Sequence, residues 1–383
     1  MIRILTLSTL FPNPVQSGLG NNVWRQVKRV HGLPDVEVTV IAPVPRFALP
    51  LPIPGMPYSE LRAVPAQRTE GGILIHHPRY AALPKVGWRM VGNSIASAAV
   101  PLALQLHRNE PFDLITSEFF FPDAEAVLQA ARSLHIPHVM KARGSDIRFW
   151  AKKRRPRRQM VGAARYAASL LAVSDALRSE MVLMGLPRER VAVHYTGVDL
   201  TAFSAGVAPR ARNHLVTVGN LVPLKRQSLV VQAMKHLPDF TLEVIGDGPD
   251  RGALEALAKK LGVAAQVTFA GRLGHEELPA RLAAASALVH ASESEGLANV
   301  WVEALACETP VVTTDVGGAA EVVNPRVGRL IGVKSSPFGI AKAVEATLAQ
   351  SFASEDFAAA VEPFHWDRNL AQLRDIYRRA TKK

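Results

Sequence analysis

The chain of 383 residues holds a single cysteine, Cys307. No internal disulfide can form, and such sparse thiol usage suits a reducing compartment. No apolar run makes a clean bilayer span. The most apolar long stretch, Met90 to Leu106, is interrupted by Asn93, Ser94, Ser97, Pro101 and Gln105, and reads as a buried helix. At the N-terminus one basic residue, Arg3, precedes Ile4 to Phe11, which is broken by Thr6, Ser8 and Thr9 and reads as a first β-strand without a signal-cleavage site. These absences point to a cytoplasmic protein. His76, His77, His275 and His290 have no companions at metal-ligand spacing, so no metal site is expected. A nicotinamide fingerprint is missing as well. Gly246-Asp247-Gly248 has Arg251 where a third glycine belongs, and Gly18-Leu19-Gly20 lacks the third glycine too, which disfavours hydride transfer.

What is present is an ordinary globular composition, with 48% hydrophobic and 20% charged residues, and a length that predicts two domains. Apolar runs alternate with helix-length amphipathic segments throughout, the pattern of parallel α/β layers. Ile2–Ser8, Val36–Ile41, Ile73–His77, Leu114–Thr116, His138–Lys141, Leu170–Val173 and Val191–His194 are expected strands of a first sheet. His214–Val218, Leu242–Ile245, Val267–Phe269, Ala287–His290, Pro310–Thr313 and Gly328–Leu330 are expected strands of a second. Thr201 to Asn213 reads as a linker, the six prolines of 43–58 mark a loop, and Trp366 to Lys383 has helical spacing. The expected division is 1–204, 205–365 and a terminal helix 366–383, giving two doubly wound domains with the site in a cleft between them.

The net charge of +12 is uneven. Residues 1–204 hold 25 basic and 14 acidic side chains, against 20 and 19 in 205–383. The densest run is Lys152-Lys153-Arg154-Arg155-Pro156-Arg157-Arg158, directly after Phe149 and Trp150. It reads either as a solvated face or as a docking surface for anionic lipid head groups. No nucleic-acid-binding signature accompanies it.

The richest chemistry lies from Ser292 to Cys307, after a strand and opening a helix, where backbone N–H groups near Gly296, Leu297 and Asn299 favour an anion. Glu295 and Glu303 are spaced roughly 12 Å apart by helical rise, which suits separate hydroxyl groups of one extended ligand. Either carboxylate alone also reads as a surface or helix-start charge. A strand ending in Gly317-Gly318 follows. Here the chain resembles the retaining family 4 glycosyltransferases of GT-B architecture, nearly over its full length, through Glu295-x7-Glu303 and Gly317-Gly318-x-x-Glu321. The likeness is greatest to bacterial enzymes of teichuronic-acid or exopolysaccharide synthesis.

The resemblance implies two Rossmann-like domains, with the terminal helix returning to the first. It implies that Glu295 binds donor-sugar hydroxyls, Glu303 the ribose, and Lys225 the diphosphate. Asn220 stands where many relatives carry Arg, and Arg226 where they carry Gly. Gly18 and Gly20 match the glycine-rich loop, and Arg143-Gly144-Ser145-Asp146 the His-Gly-x-Asp segment near the reacting sugar. Arg143 cannot act as a base at ordinary pH, so its role is electrostatic. Asp146 either pairs with Arg143 or caps the next helix. Partners implied are a nucleotide-sugar donor, a lipid-linked saccharide acceptor and the anionic inner membrane face, with no cofactor, no metal and no nucleic acid. Two alternatives stay open: an epimerase or hydrolase of the same architecture, and a non-catalytic basic adaptor.

Overall fold

The computed structural model describes residues 1–16, 18–47, 60–82, 87–206, 208–274 and 276–382. Ser17, residues 48–58 of the proline-rich segment, Val207 and His275 lie outside that part. The chain forms two compact units, Met1–Thr196 with Asn369–Lys383, and Gly197–Arg368. The break therefore falls at Thr196, not at 204. The stretch 201–213 belongs to the second unit rather than linking the two.

In the first unit the strands are β1 (Ile2–Leu7), β2 (Val36–Ile41), β3 (Val44–Phe47), β4 (Gln67–Glu70), β5 (Ile73–His76), β6 (Arg79–Ala82), β7 (Leu114–Ser117), β8 (His138–Ala142), β9 (Ser169–Ala172) and β10 (Val191–Val193). Eight of them form one sheet in the order β10-β9-β8-β7-β1-β2-β5-β4. Only β4 runs antiparallel to its neighbour there. β3 and β6 pair in a separate ribbon. Strand β3 corrects the expectation of a loop from residue 43: Pro45 lacks an N–H, and a two-stranded ribbon leaves it an open side where none is needed.

The second unit contains β11 (His214–Val218), β12 (Thr241–Ile245), β13 (Val267–Gly271), β14 (Ala287–His290), β15 (Val311–Thr314) and β16 (Gly328–Ile331). They form one parallel sheet in the order β13-β12-β11-β14-β15-β16. Parallel sheets covered on both faces need nearly continuous apolar strands. That is how β7 and β14 read, being buried at every position.

Amphipathic helices supply the covering layers. In Asn21–His31, Val23, Val27 and Val30 face inward at helical spacing, while Lys28, Arg29 and His31 sit at the favourable C-terminal end. The stretch expected as a buried helix is helical from Val91 to Asn109, with Met90 preceding it, but only the face of Gly92, Ile95, Ala96, Ala99 and Ala103 is buried. Among the described residues no helix is long and apolar enough to cross a membrane. The last helix, Trp366–Thr381, places Leu373, Ile376 and Tyr377 in the first unit's core beside Val27, Val30 and Val38. Arg374 and Arg378 hold it there through Asp35, at 2.9 and 2.8 Å.

Gly246, with φ of 138°, marks where two loops of the second unit meet: a Cβ there would lie 1.9 Å from the Gly219 carbonyl oxygen. Gly252, inside helix Arg251–Lys260, has open space around it. Gly246→Ala should therefore lower the unfolding free energy by about 2 kcal/mol or more, and Gly252→Ala should raise it by about 0.5–1 kcal/mol. Urea midpoints of the two variants check the opposite signs.

Candidate active site

Doubly wound sheets bind ligands beyond the carboxyl ends of their strands, where the strand order reverses. In the second sheet this point lies between β11 and β14. The loops leaving those strands are joined by the Glu293 N–H donating to the Leu224 carbonyl at 2.9 Å. That contact carries Lys225 to Glu295, and the two form an ion pair whose side chains are 22% and 10% exposed. Flanking loops close in on both sides. Leu221 donates its N–H to the Asp247 carbonyl at 2.9 Å, and Gly318 donates to the Gly296 carbonyl at 3.0 Å. Gly248 is required here, since a Cβ would sit 2.4 Å from the Leu221 oxygen.

The sequence thus places Asn220, Lys225, Glu295, Gly296, Leu297, Gly317 and Gly318 in one continuous cluster of loops. Lys225 is no exposed helix-start lysine. Arg226 donates from Nη1 to the Val333 carbonyl at 2.8 Å, and Asn220 is exposed. The helix begins at Asn299, later than the glycine expected to open it. Glu295 is consequently a loop residue and Glu303 is buried in the helix, so the spacing by helical rise does not apply between them.

Burial by itself would raise the Glu295 carboxyl. The charge of Lys225, the His290 imidazole and hydrogen bonds from Lys225 and Ser292 outweigh it and hold the group below the ordinary carboxylate range. His290, at the end of β14, is more than a core histidine. The Trp301 indole N–H donates to its Nδ1 at 2.9 Å, so the neutral ring carries its proton on Nε2. Nε2 lies 3.2 Å from the Ser292 hydroxyl and 3.6 Å from Glu295 Oε1. Burial, together with nearby Lys225, takes the ring down to about 4 against the opposing pull of Glu295, so it stays a neutral donor.

The first sheet reverses between β1 and β7. The loop after β1 is clasped by buried Asp123, which accepts from the Thr9 hydroxyl at 2.7 Å and the Ser8 hydroxyl at 3.0 Å. Burial raises Asp123 to about 7. Gly18 lies exposed in the turn before helix Asn21–His31, and Gly20 caps that helix at φ 69°, where a Cβ would strike the Leu10 oxygen. After β8, Asp146 accepts the N–H groups of Gly144 at 2.8 Å, Phe120 at 3.0 Å and Arg143 at 3.2 Å. Burial raises its carboxyl against those bonds. Asp146 is a backbone clasp at the start of the next helical turn and does not pair with the Arg143 guanidinium. Arg143 pairs instead with Glu118, and donates from Nη2 to Gln26 Oε1 at 3.1 Å and from Nη1 to the Thr196 hydroxyl at 3.2 Å.

Among the described residues no group of three or more His, Cys, Asp or Glu side chains is arranged to hold a metal. Residues 18–202 match the Glycosyltransferase Family 4 domain and residues 201–362 the Glycosyl transferases group 1 domain. The chain belongs to the family 4 glycosyltransferases. The glycosyltransferase is similar over its whole length to the "Putative teichuronic acid biosynthesis glycosyltransferase" of Bacillus subtilis, with 27% identity and 99% of that relative covered. It is 28% identical to a D-inositol 3-phosphate glycosyltransferase of Xylanimonas cellulosilytica, over 76% of this chain and 78% of the relative. Sucrose-phosphate synthase from Thermosynechococcus elongatus shares its fold with a TM-score of 0.78 at 17% identity, covering 99% and 98% of the two chains. Anabaena HepE in complex with UDP-glucose does so with a TM-score of 0.71 at 20% identity, covering 98% and 99%. These neighbours have the GT-B architecture.

Sequence reasoning missed Gln26 and Glu118 altogether and left His290 without a role. Gln26 and Glu118 are separated by 92 residues along the chain, and only the folded sheet joins them. In the glycosyltransferase Lys225→Met would leave a buried carboxylate without its cation. Breaking such a pair costs up to about 3–5 kcal/mol, and partial exposure puts the expected loss at the lower end. Lys225→Met/Glu295→Gln should recover most of that loss. A carboxylate held low in the folded state stabilises it above an unfolded pKa of about 4.3, and this contribution disappears as pH falls through the lower folded value. Urea midpoints of wild type and Lys225→Met should therefore converge in acid.

Proposed function

We propose that the protein is a retaining, metal-independent enzyme which moves a sugar from a nucleotide-diphosphate donor to a lipid-linked glycan acceptor in surface polysaccharide biosynthesis. The observation that carries this reading is the Lys225–Glu295 pair at the reversal point of the second sheet. A cation beside a shielded carboxylate offers one partner for phosphate and one for sugar hydroxyls. Glu303, four residues into its helix, takes the ribose. Gly18, Gly20, Gly296, Leu297, Asn299, Gly317 and Gly318 provide backbone approach to the donor, with Asn220 and Arg226 at its margin. The UDP-glucose held by Anabaena HepE and the teichuronic acid synthesis named for the Bacillus relative support the choice of donor class and pathway.

In the reaction the bond between the sugar anomeric carbon and the donor phosphate oxygen breaks, and the electron pair leaves with the nucleoside diphosphate. The acceptor oxygen attacks the same face, and its proton passes to the departing phosphate oxygen. Lys225 and Arg143 stabilise developing charge, Asp146 fixes the Arg143 loop, and the protein supplies positioning rather than a base.

Docking to the inner face of an anionic membrane assigns a purpose to the basic run. Helix Arg154–Tyr166 opens with Arg154, Arg155, Arg157 and Arg158, cations at the end of a helix that repels them. Anionic head groups reverse that cost. Cavities of about 750 and 600 Å³ flank the helix, both lined by Arg154 and Arg158. Phe149 beside Lys153, and Leu183 next to the Arg157-bound Met184 carbonyl, are 56% and 82% exposed and offer apolar anchors.

Two measurements test the reading. In calorimetric titrations with UDP, GDP and ADP, one nucleotide should bind selectively and Glu303→Ala should weaken it about tenfold; binding of none would remove the donor assignment. Changing Lys152, Lys153, Arg154 and Arg155 to Gln should lower partition onto phosphatidylserine vesicles on the order of a thousandfold, at about 1 kcal/mol per charge, and spare nucleotide binding. Unchanged partition would remove the membrane assignment.

A further inference from the structure

Behind Arg143 lies a buried polar network that the proposed reaction has not used. Gln26 comes from the helix after the glycine loop, Glu118 follows β7, Lys141 lies within β8, and His194 and Thr196 follow β10. Gln26 Nε2 donates to Glu118 Oε1 at 2.7 Å, and Gln26 Oε1 accepts both Lys141 Nζ at 2.9 Å and Arg143 Nη2 at 3.1 Å. Lys141 Nζ also lies 2.6 Å from His194 Nδ1. His194 Nε2 faces the Asn369 carbonyl at 3.2 Å, which can only accept, so Nδ1 is free to accept from the lysine. Every one of these side chains has its hydrogen-bonding groups directed by a neighbour, and Gln26, Glu118, Lys141 and His194 are 3% exposed or less.

Arg143 is the exception. Its side chain is 10% exposed, Nη1 and Nη2 are committed, and Nε has no partner among the described residues. Burial and the Arg143 charge push the Lys141 ammonium well below its usual value, against the pull of Glu118.

We infer that Gln26, Glu118 and Thr196, backed by Lys141 and His194, are positioning residues that lock the Arg143 guanidinium in one orientation, so that its charge is held fixed for the reaction. This rests on the electrostatic role given to Arg143 above. A freely rotating arginine would have to be ordered in each turnover; a locked one presents its charge without reorganisation. Gln26 has the central place, because its amide oxygen accepts from both Lys141 and Arg143 and its nitrogen fixes Glu118.

The test is a double-mutant cycle on the full chain, with hydrolysis of UDP-glucose as the rate: water replaces the acceptor, glucose is released, and UDP leaves. Arg143→Met and Gln26→Met are each expected to lower kcat tenfold or more with KM for UDP-glucose within twofold of wild type, and the isosteric Thr196→Val about threefold. In the Arg143→Met background Gln26→Met should bring no further loss, since its effect passes through the guanidinium. Gln26→Met and Thr196→Val at the wild-type rate, with Arg143→Met impaired, would overturn the positioning assignment while leaving the role of Arg143 intact. Losses that multiply in the double variant would overturn it too. Wild-type kcat in Arg143→Met would remove both that role and the inference built on it. Thr196→Val removes one hydroxyl and keeps the shape, so it reports even where Gln26→Met melts early.

Discussion

A carboxylate taken out of water needs a cation close by, and this protein meets that need in each of its two sheets at the edge where the strands end. Glu295 has Lys225, joining the loops of β14 and β11. Glu118 has Arg143, joining the loops of β7 and β8. Neither pair is strong evidence for stability, because desolvation consumes most of the attraction. Their location is what carries meaning. The carboxyl edge of a doubly wound sheet is where such folds do chemistry, and charges confined there are available to a ligand that brings charges of its own.

The surroundings of both pairs follow from that constraint. To bring Lys225 within reach of Glu295, the β11 loop must press against the β12 loop, which leaves no room for a Cβ at Gly246 or Gly248. Trp301 sets the tautomer of His290, whose Nε2 meets the Ser292 hydroxyl that in turn bonds Glu295. On the first sheet, Asp146 gathers the backbone N–H groups of Arg143, Gly144 and Phe120, so the loop that carries Arg143 is fixed from below while Gln26, Glu118 and Thr196 fix its tip. Arginine in this setting acts as a charge of fixed direction. It offers no proton transfer at ordinary pH.

Much of this was legible before folding. Each of the thirteen strands expected from the apolar runs has a counterpart among the sixteen strands described, because a parallel strand buried on both faces leaves an almost unbroken apolar word. The three that escaped notice lack that word: Gln67–Glu70 is polar, Val44–Phe47 contains proline, and Arg79–Ala82 is too short and half exposed. The residues around the second reversal point were legible through Glu295-x7-Glu303 and Gly317-Gly318, since they lie within one short stretch of chain. The helix start was misplaced toward Gly296 because backbone hydrogen bonding to Gly318, which holds that loop open, has no signature in sequence. The network around Arg143 was illegible for the same kind of reason. Gln26 and Thr196 are separated by most of a domain, and a glutamine on an amphipathic helix reads as surface until the sheet brings Lys141 and Glu118 beneath it.

In the proposed reaction Lys225 and Glu295 divide the labour, a cation for the diphosphate and a carboxylate for the sugar. Calorimetric affinities for UDP and UDP-glucose, measured side by side in wild type, Lys225→Met and Glu295→Gln, separate the two roles directly. Lys225→Met should weaken both ligands to a similar degree, while Glu295→Gln should leave UDP within twofold and abolish whatever extra affinity the glucose confers. Equal affinities for both ligands in all three proteins would contradict this division.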